Sequence, residues 1–108
     1  MTALNIHILL KIKKYHAKRY KSIVFNMLFL RRMKKKYGTL HCVYCNCYVQ
    51  VMKLGEPLKR SIMATVDHYL PKATHPELEF DESNLRVCCD KCNAKKGSKI
   101  WQEKYPYP

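Results

Sequence analysis

The stretch NLRVCCDKCNAKKGSK, Asn84 to Lys99, packs three cysteines into five residues and follows them with lysines. Its Cys89-x-x-Cys92 pair has a counterpart upstream, Cys42-x-x-Cys45. Two thiolates three positions apart on a knuckle turn can share one metal ion. A second knuckle completes a tetrahedral four-sulfur site of the kind that holds structural zinc. Such a closed site leaves no position for water, so its role is to clasp the two ends of a subdomain. Buried thiols or a redox motif are the alternatives. Cys47 and Cys88 are left over. Cys88, just before a ligand, suits a packed core position, and Cys47 could take the place of Cys45.

A chain of 108 residues makes one small domain whose core needs such a staple. Paired C-x-x-C spacing is rare in secreted disulfide folds and common in metal sites. The opening MTALNIHILLKIKK has no basic stretch before its apolar run and no small-residue cleavage site. No segment approaches the roughly 18 apolar residues of a membrane span. These features predict an intracellular protein with reduced thiols, not secreted and with no membrane partner.

A net charge of +13 points to a polyanionic partner. Its distribution is uneven. Residues 1–55 carry twelve of the 21 Lys and Arg and no acid, so residues 56–108 carry the other nine against all eight acids. The N-terminal half is therefore a basic element. Leu9, Ile12, His16, Ile23, Met27 and Leu30 recur at helical spacing. They predict a helix from about 5 to 37, ended by Gly38 after Lys34, Lys35 and Lys36, with Ser22 as a point where it could divide in two. Strands are expected at 48–52, within 61–70 and at 85–88, with a polar loop at 72–83. A last helix is expected from Asn93 to about Gln102, exposing Lys95, Lys96 and Lys99.

Between the knuckles lies VDHYLPKA, residues 66–73. Asp67 offers a hard oxygen ligand for a magnesium-like ion. His68, neutral near pH 7, can take a proton from water. Asn84 stands ahead of the second knuckle, and Asn93 follows Cys92 directly. The order C-x2-C, D-H, N-L, C-x2-C-N-x2-K resembles the HNH, or ββα-metal, nucleases. The matching residues are Cys42, Cys45, Asp67, His68, Asn84, Leu85, Cys89, Cys92, Asn93 and Lys96. HPELEFDESNLRVCCDKCNAKKG also resembles a subgroup with a Y-P-E-L loop, although Ser83 stands where that subgroup often has an aromatic residue. The third letter of the family name is normally His. Here it is Asn93, as in phage junction-resolving nucleases of the same group.

The resemblance implies an α+β fold: a small ββα-metal domain over 38–102, stapled by zinc, with a basic helical arm at 1–37 and a tail at 103–108. It implies metal-dependent hydrolysis of DNA phosphodiester bonds. Asp67 and Asn93 would hold one Mg²⁺ or Mn²⁺, His68 would deprotonate the attacking water, and Asn84 would fix the loop that orients His68. A single site cuts one strand, so a double-strand cut needs a homodimer or two encounters. Arg31, Arg32, Lys34, Lys35 and Lys36, with Lys95, Lys96 and Lys99, are the candidate DNA contacts. Two other readings stay open: a zinc-stapled DNA-binding module without catalysis, and an HNH subunit active only inside a larger phage or defence complex.

Overall fold

A computed structural model describes residues 17–53 and 55–108. The first half of the expected N-terminal helix, with Leu9, Ile12 and His16, lies outside them. The described part is one unbroken helix, α1 (Ala17–Tyr37). Ser22 does not divide it. Its hydroxyl instead donates to Glu79 Oε2 at 3.0 Å. Gly38 ends the helix at φ 80°, a left-handed conformation that costs glycine little, and its N–H closes on Lys34 O at 2.9 Å.

Of the expected Ile23, Met27 and Leu30, only Leu30 is buried. Phe29 and Leu30 enter the core, flanked by Phe25, Met33 and Tyr37. Almost every position from Ile23 to Leu30 is apolar, so spacing alone could not choose the face. Phe25 settles it by meeting Phe80 edge-on, with centroids 5.4 Å apart. The described part of the basic segment is thereby packed on the rest of the domain.

Two short antiparallel sheets follow. β1 (Leu40–His41) pairs with β2 (Tyr48–Val49). The turn between them is the first knuckle, closed by Cys42 N–H to Cys47 O and by Asn46 N–H to Cys42 O, both at 2.9 Å. Asn46 takes the positive φ the turn requires. The expected 48–52 strand stops early because the chain bends after Gln50 into an isolated parallel bridge with Met63.

β3 (Ala64–His68) pairs with β4 (Leu85–Cys89), in a register that sets Ala64 against Cys89 and His68 against Leu85. Arg60–Ile62, overlapping the start of the expected 61–70 strand, is a 3₁₀ turn. The polar loop from β3 to β4 also contains two such turns, Pro76–Leu78 and Glu82–Asn84.

The last helix, α2, runs over Asp90–Lys96. It starts three residues before Asn93 and stops well short of Gln102. Cys89 Sγ accepts from Cys92 N–H at 3.3 Å and caps the start. Gly97 ends it with a positive φ of 54°. The second knuckle is thus strand end and first helical turn together. Val43 N–H donates to Val87 O at 3.1 Å and locks the first knuckle onto β4. Leu40, Val43, Val49, Leu85, Val87 and Cys88 complete the core. This is an α+β fold, small and with the strand–strand–helix order β3, β4, α2.

Candidate active site and metal cluster

The Sγ atoms of Cys42, Cys45, Cys89 and Cys92 all lie within 4.8 Å of one another. A tetrahedral ion with sulfur bonds of about 2.3 Å has sulfur–sulfur edges of about 3.8 Å. Cys45 and Cys89 are 3.8 Å apart. Backbone N–H groups face the sulfurs, with Tyr44 N–H 3.4 Å from Cys42 Sγ. The Cys88 thiol, 3.9 Å away, pulls Cys42 down to about 4, helped by backbone donors and opposed by burial. Cys92 moves the other way, pushed up by burial and by its thiol neighbours. Crowded sulfurs cannot all ionise alone, and a cation at their centre removes that conflict. Cys47 lies outside the four, and burial pushes its thiol up to about 12. Cys88 is fully buried in the core.

β3, the loop after it and α2 bring the second group together. Asp67, His68 and Asn93 line one cleft of about 370 Å³, shared with Asn26 of α1, Lys72 and Ser98. Asp67 and His68 sit at the end of β3, where register with β4 fixes their backbone. His68 Nε2 lies 3.0 Å from Glu79 O. A carbonyl oxygen can only accept, so Nε2 carries a proton, and in the neutral ring Nδ1 is the nitrogen with the lone pair.

Asn93 Nδ2 donates to Thr65 Oγ1 at 3.1 Å and Val66 O at 3.3 Å, which orients its amide and leaves Oδ1 clear of those bonds. Asn84, 6% exposed, clamps the loop beyond His68. Its Oδ1 accepts from Leu70 N–H at 2.9 Å, its Nδ2 donates to Leu70 O at 3.0 Å, and its own carbonyl accepts from Tyr69 N–H at 2.8 Å.

Lys96 corrects the sequence reading. It is 1% exposed and so is not on the surface with Lys95 and Lys99. Its Nζ donates to Asp67 Oδ1 at 3.2 Å and to His68 O at 3.1 Å. Tyr44 Oη donates to the other Asp67 oxygen at 2.6 Å. Burial, then this carboxylate, raises the Tyr44 phenol far above its ordinary value.

The basic residues of α1 also divide. The Arg32 guanidinium is committed to Glu82 through two bonds of 3.1 and 2.9 Å. Lys36 lies over the Tyr37 ring at 5.3 Å. Arg31, Lys34 and Lys35 line a separate groove of about 560 Å³ with Lys53.

Sequence reasoning did not find Tyr44, the Glu79 carbonyl, Asn26 or Lys72 at the site. Only Lys72, inside VDHYLPKA, carried a signal. Among the described residues no helix is long and apolar enough to cross a membrane.

A family model for HNH endonucleases matches residues 42–99, more than half of the chain. Among curated proteins, the Septu protein PtuB of Bacillus thuringiensis is 42% identical over 57 residues. That match covers 53% of this chain and 19% of the relative. No solved structure matches the chain.

Proposed function

Because this chain belongs to the HNH endonuclease family, we propose that it hydrolyses phosphodiester bonds of DNA with one divalent cation, Mg²⁺ or Mn²⁺, at the cleft of Asp67, His68 and Asn93. The observation that carries this reading is the convergence of those three side chains on one cleft. The donor set fits a hard cation. A carboxylate has about four lone-pair positions, and Lys96 and Tyr44 take two at Asp67. The amide oxygen of Asn93 is the second oxygen donor of the kind Mg²⁺ accepts.

A bound cation supplies charge neutralisation at the scissile phosphate and the leaving oxygen. The chain's own residues do the rest. His68 Nδ1 accepts the proton of the attacking water, while the Glu79 carbonyl holds the ring through Nε2. Asn84 keeps the loop behind the imidazole closed on itself. Lys72, Lys95 and Lys99, all exposed, are placed to meet the phosphate backbone. Arg31, Lys34 and Lys35 form a second basic surface for the same duplex.

The four-cysteine cluster holds structural zinc in this reading. It fixes the start of α2 and so the height of Asn93 above β3. A staple of free thiolates suits an intracellular, reducing compartment.

Incubation of purified protein with supercoiled DNA tests the proposal. Nicks should form with Mg²⁺ or Mn²⁺, stop with a chelator and be lost in His68→Ala. Cleavage that survives the chelator, or full activity in His68→Ala, would sink it. One observation favours a second reading, a subunit that acts inside a larger assembly: the matched stretch is a small part of the much longer PtuB. Activity that emerges only with added partner proteins would select it.

A further inference from the structure

Building on the nuclease reading of the cleft, we propose that the Lys96 ammonium is a built-in counterion, which holds Asp67 and the His68 backbone in place and competes with the divalent cation for the Asp67 carboxylate. Lys96 is the one buried lysine among the described residues. Its side chain has no exposed surface, and that of Asp67 has 5%. A buried ammonium is tolerated only when paired and hydrogen-bonded, and two oxygens meet this one.

Both acceptors belong to the cleft. One is the carboxylate that the nuclease reading assigns to the cation. The other is the backbone carbonyl of His68, the residue that would take the proton. Tyr44 holds the second carboxylate oxygen from the first knuckle. The carboxylate is thus gripped at both oxygens, by the ammonium and by the phenol, and cannot turn about its own axis.

The helix explains how the ammonium reaches this place. Lys96 lies three residues after Asn93, less than one turn, so both side chains share a face of α2. Asn93 bonds to Thr65 and Val66, and Lys96 bonds to Asp67 and His68. The helix is laced to β3 along successive residues. Each lace ends at or beside the same cleft.

A cation that coordinates Asp67 must sit near this ammonium, and like charges in a poorly solvated site repel strongly. The counterion therefore has two effects. It keeps Asp67 ordered and its charge balanced without a bound metal, and it weakens the metal's hold on the carboxylate. A lysine with a purely structural role would affect folding and leave metal affinity alone.

The experiment is Mn²⁺ binding to the zinc-loaded protein, read from the electron-paramagnetic resonance of free Mn²⁺, with no DNA present. Thiolates select soft metals over Mn²⁺, so the cysteine cluster does not confuse the count. Lys96→Met and Lys96→Gln should each bind Mn²⁺ at least about tenfold more tightly than the natural chain. Lys96→Gln keeps an amide that can still donate to Asp67. Mn²⁺ should also raise the melting temperature of both variants more than that of the natural chain, because the ion replaces the lost charge. Their cleavage rate at saturating Mn²⁺ should fall, as the carboxylate and the His68 backbone lose their tether.

Unchanged or weaker Mn²⁺ binding in folded Lys96→Gln would overturn the proposal. So would a Lys96→Met protein that no concentration of Mn²⁺ helps to fold. The nuclease reading is judged separately, by cleavage with the natural chain. If that chain fails to cut, alone and with partner proteins, yet the variants bind Mn²⁺ more tightly, the counterion stands and the nuclease reading falls.

Discussion

Removal of the Asn84 side chain should destabilise the domain more than any other single loss of a loop hydrogen bond around the cleft. Asn84→Ala deletes two bonds, from Leu70 N–H at 2.9 Å and to Leu70 O at 3.0 Å. Each backbone group orphaned away from water costs about 1–3 kcal/mol. Leu70 is only half-buried, so water repays part of one loss. The net expectation is about 2–4 kcal/mol. At roughly 4–8 °C per kcal/mol for a domain of this size, the melting temperature should fall by roughly 8–32 °C. Asn84→Asp should be no better. One carboxylate oxygen would still accept from Leu70 N–H, but the other would face Leu70 O, two acceptors without a proton between them. The assay is urea unfolding at fixed excess zinc, because metal-coupled folding makes stability depend on free metal. Cleavage measured well below the melting transition should also slow, since the loop behind His68 loses its clamp. A loss under about 0.5 kcal/mol in Asn84→Ala would show that Asn84 is dispensable and that the backbone bond from Tyr69 N–H holds the loop unaided.

Cys92→Ser should lose about one zinc per chain by elemental analysis and most of its fold, since structural zinc supplies folding free energy of order 10 kcal/mol; folded protein without zinc would refute the staple. His68→Ala should lower the cleavage rate by roughly 10²–10⁴ with DNA affinity and melting nearly unchanged; an intact rate would remove His68 from the chemistry. Asn93→Ala should cut slowly and recover with added Mn²⁺, and Asn93→His should keep activity; normal cutting by Asn93→Ala at low metal would leave Asn93 as a lacing residue for α2 only. Arg31, Lys34 and Lys35 changed together to Gln should flatten the slope of log affinity against log salt by about 2–3, at roughly 0.9 per phosphate contact. An unchanged slope would clear this groove of DNA.

The four-cysteine cluster and the strand pair were legible because their signals are local. Cysteine spacing points to the four thiols that come together, and β3 ends on Asp67-His68 opposite Leu85, the first residue of β4 and the neighbour of Asn84. The helix start was not legible. Cys89 is both a member of the thiol cluster and the helix cap, and cysteine has no place among the residues that normally mark a helix start. The helix end at Gly97 was hidden by the helix-compatible residues beyond it. Lys96 was misread for a different reason. Lysine is rarely buried, and the groups that pair with it, the Asp67 carboxylate and the His68 carbonyl, are far away in sequence. The partner of His68 is a backbone carbonyl, which leaves no mark on sequence at all. In α1 the continuous apolar run offered several faces, and Phe80 chose one.

Trp101 is the chain's single tryptophan, and it stands edge-on to Tyr44 with centroids 5.5 Å apart. Tyr44 touches both side-chain clusters, through its N–H to Cys42 Sγ and its hydroxyl to Asp67. The indole also lines the open groove beside Cys45 and Cys92. The molecule therefore carries its own optical reporter. At that separation energy absorbed by Tyr44 should pass to the indole, so a change at the thiols or at Asp67 should register in one emission spectrum. Metal uptake at either cluster should then be measurable by fluorescence, without a dye, a label or a substrate.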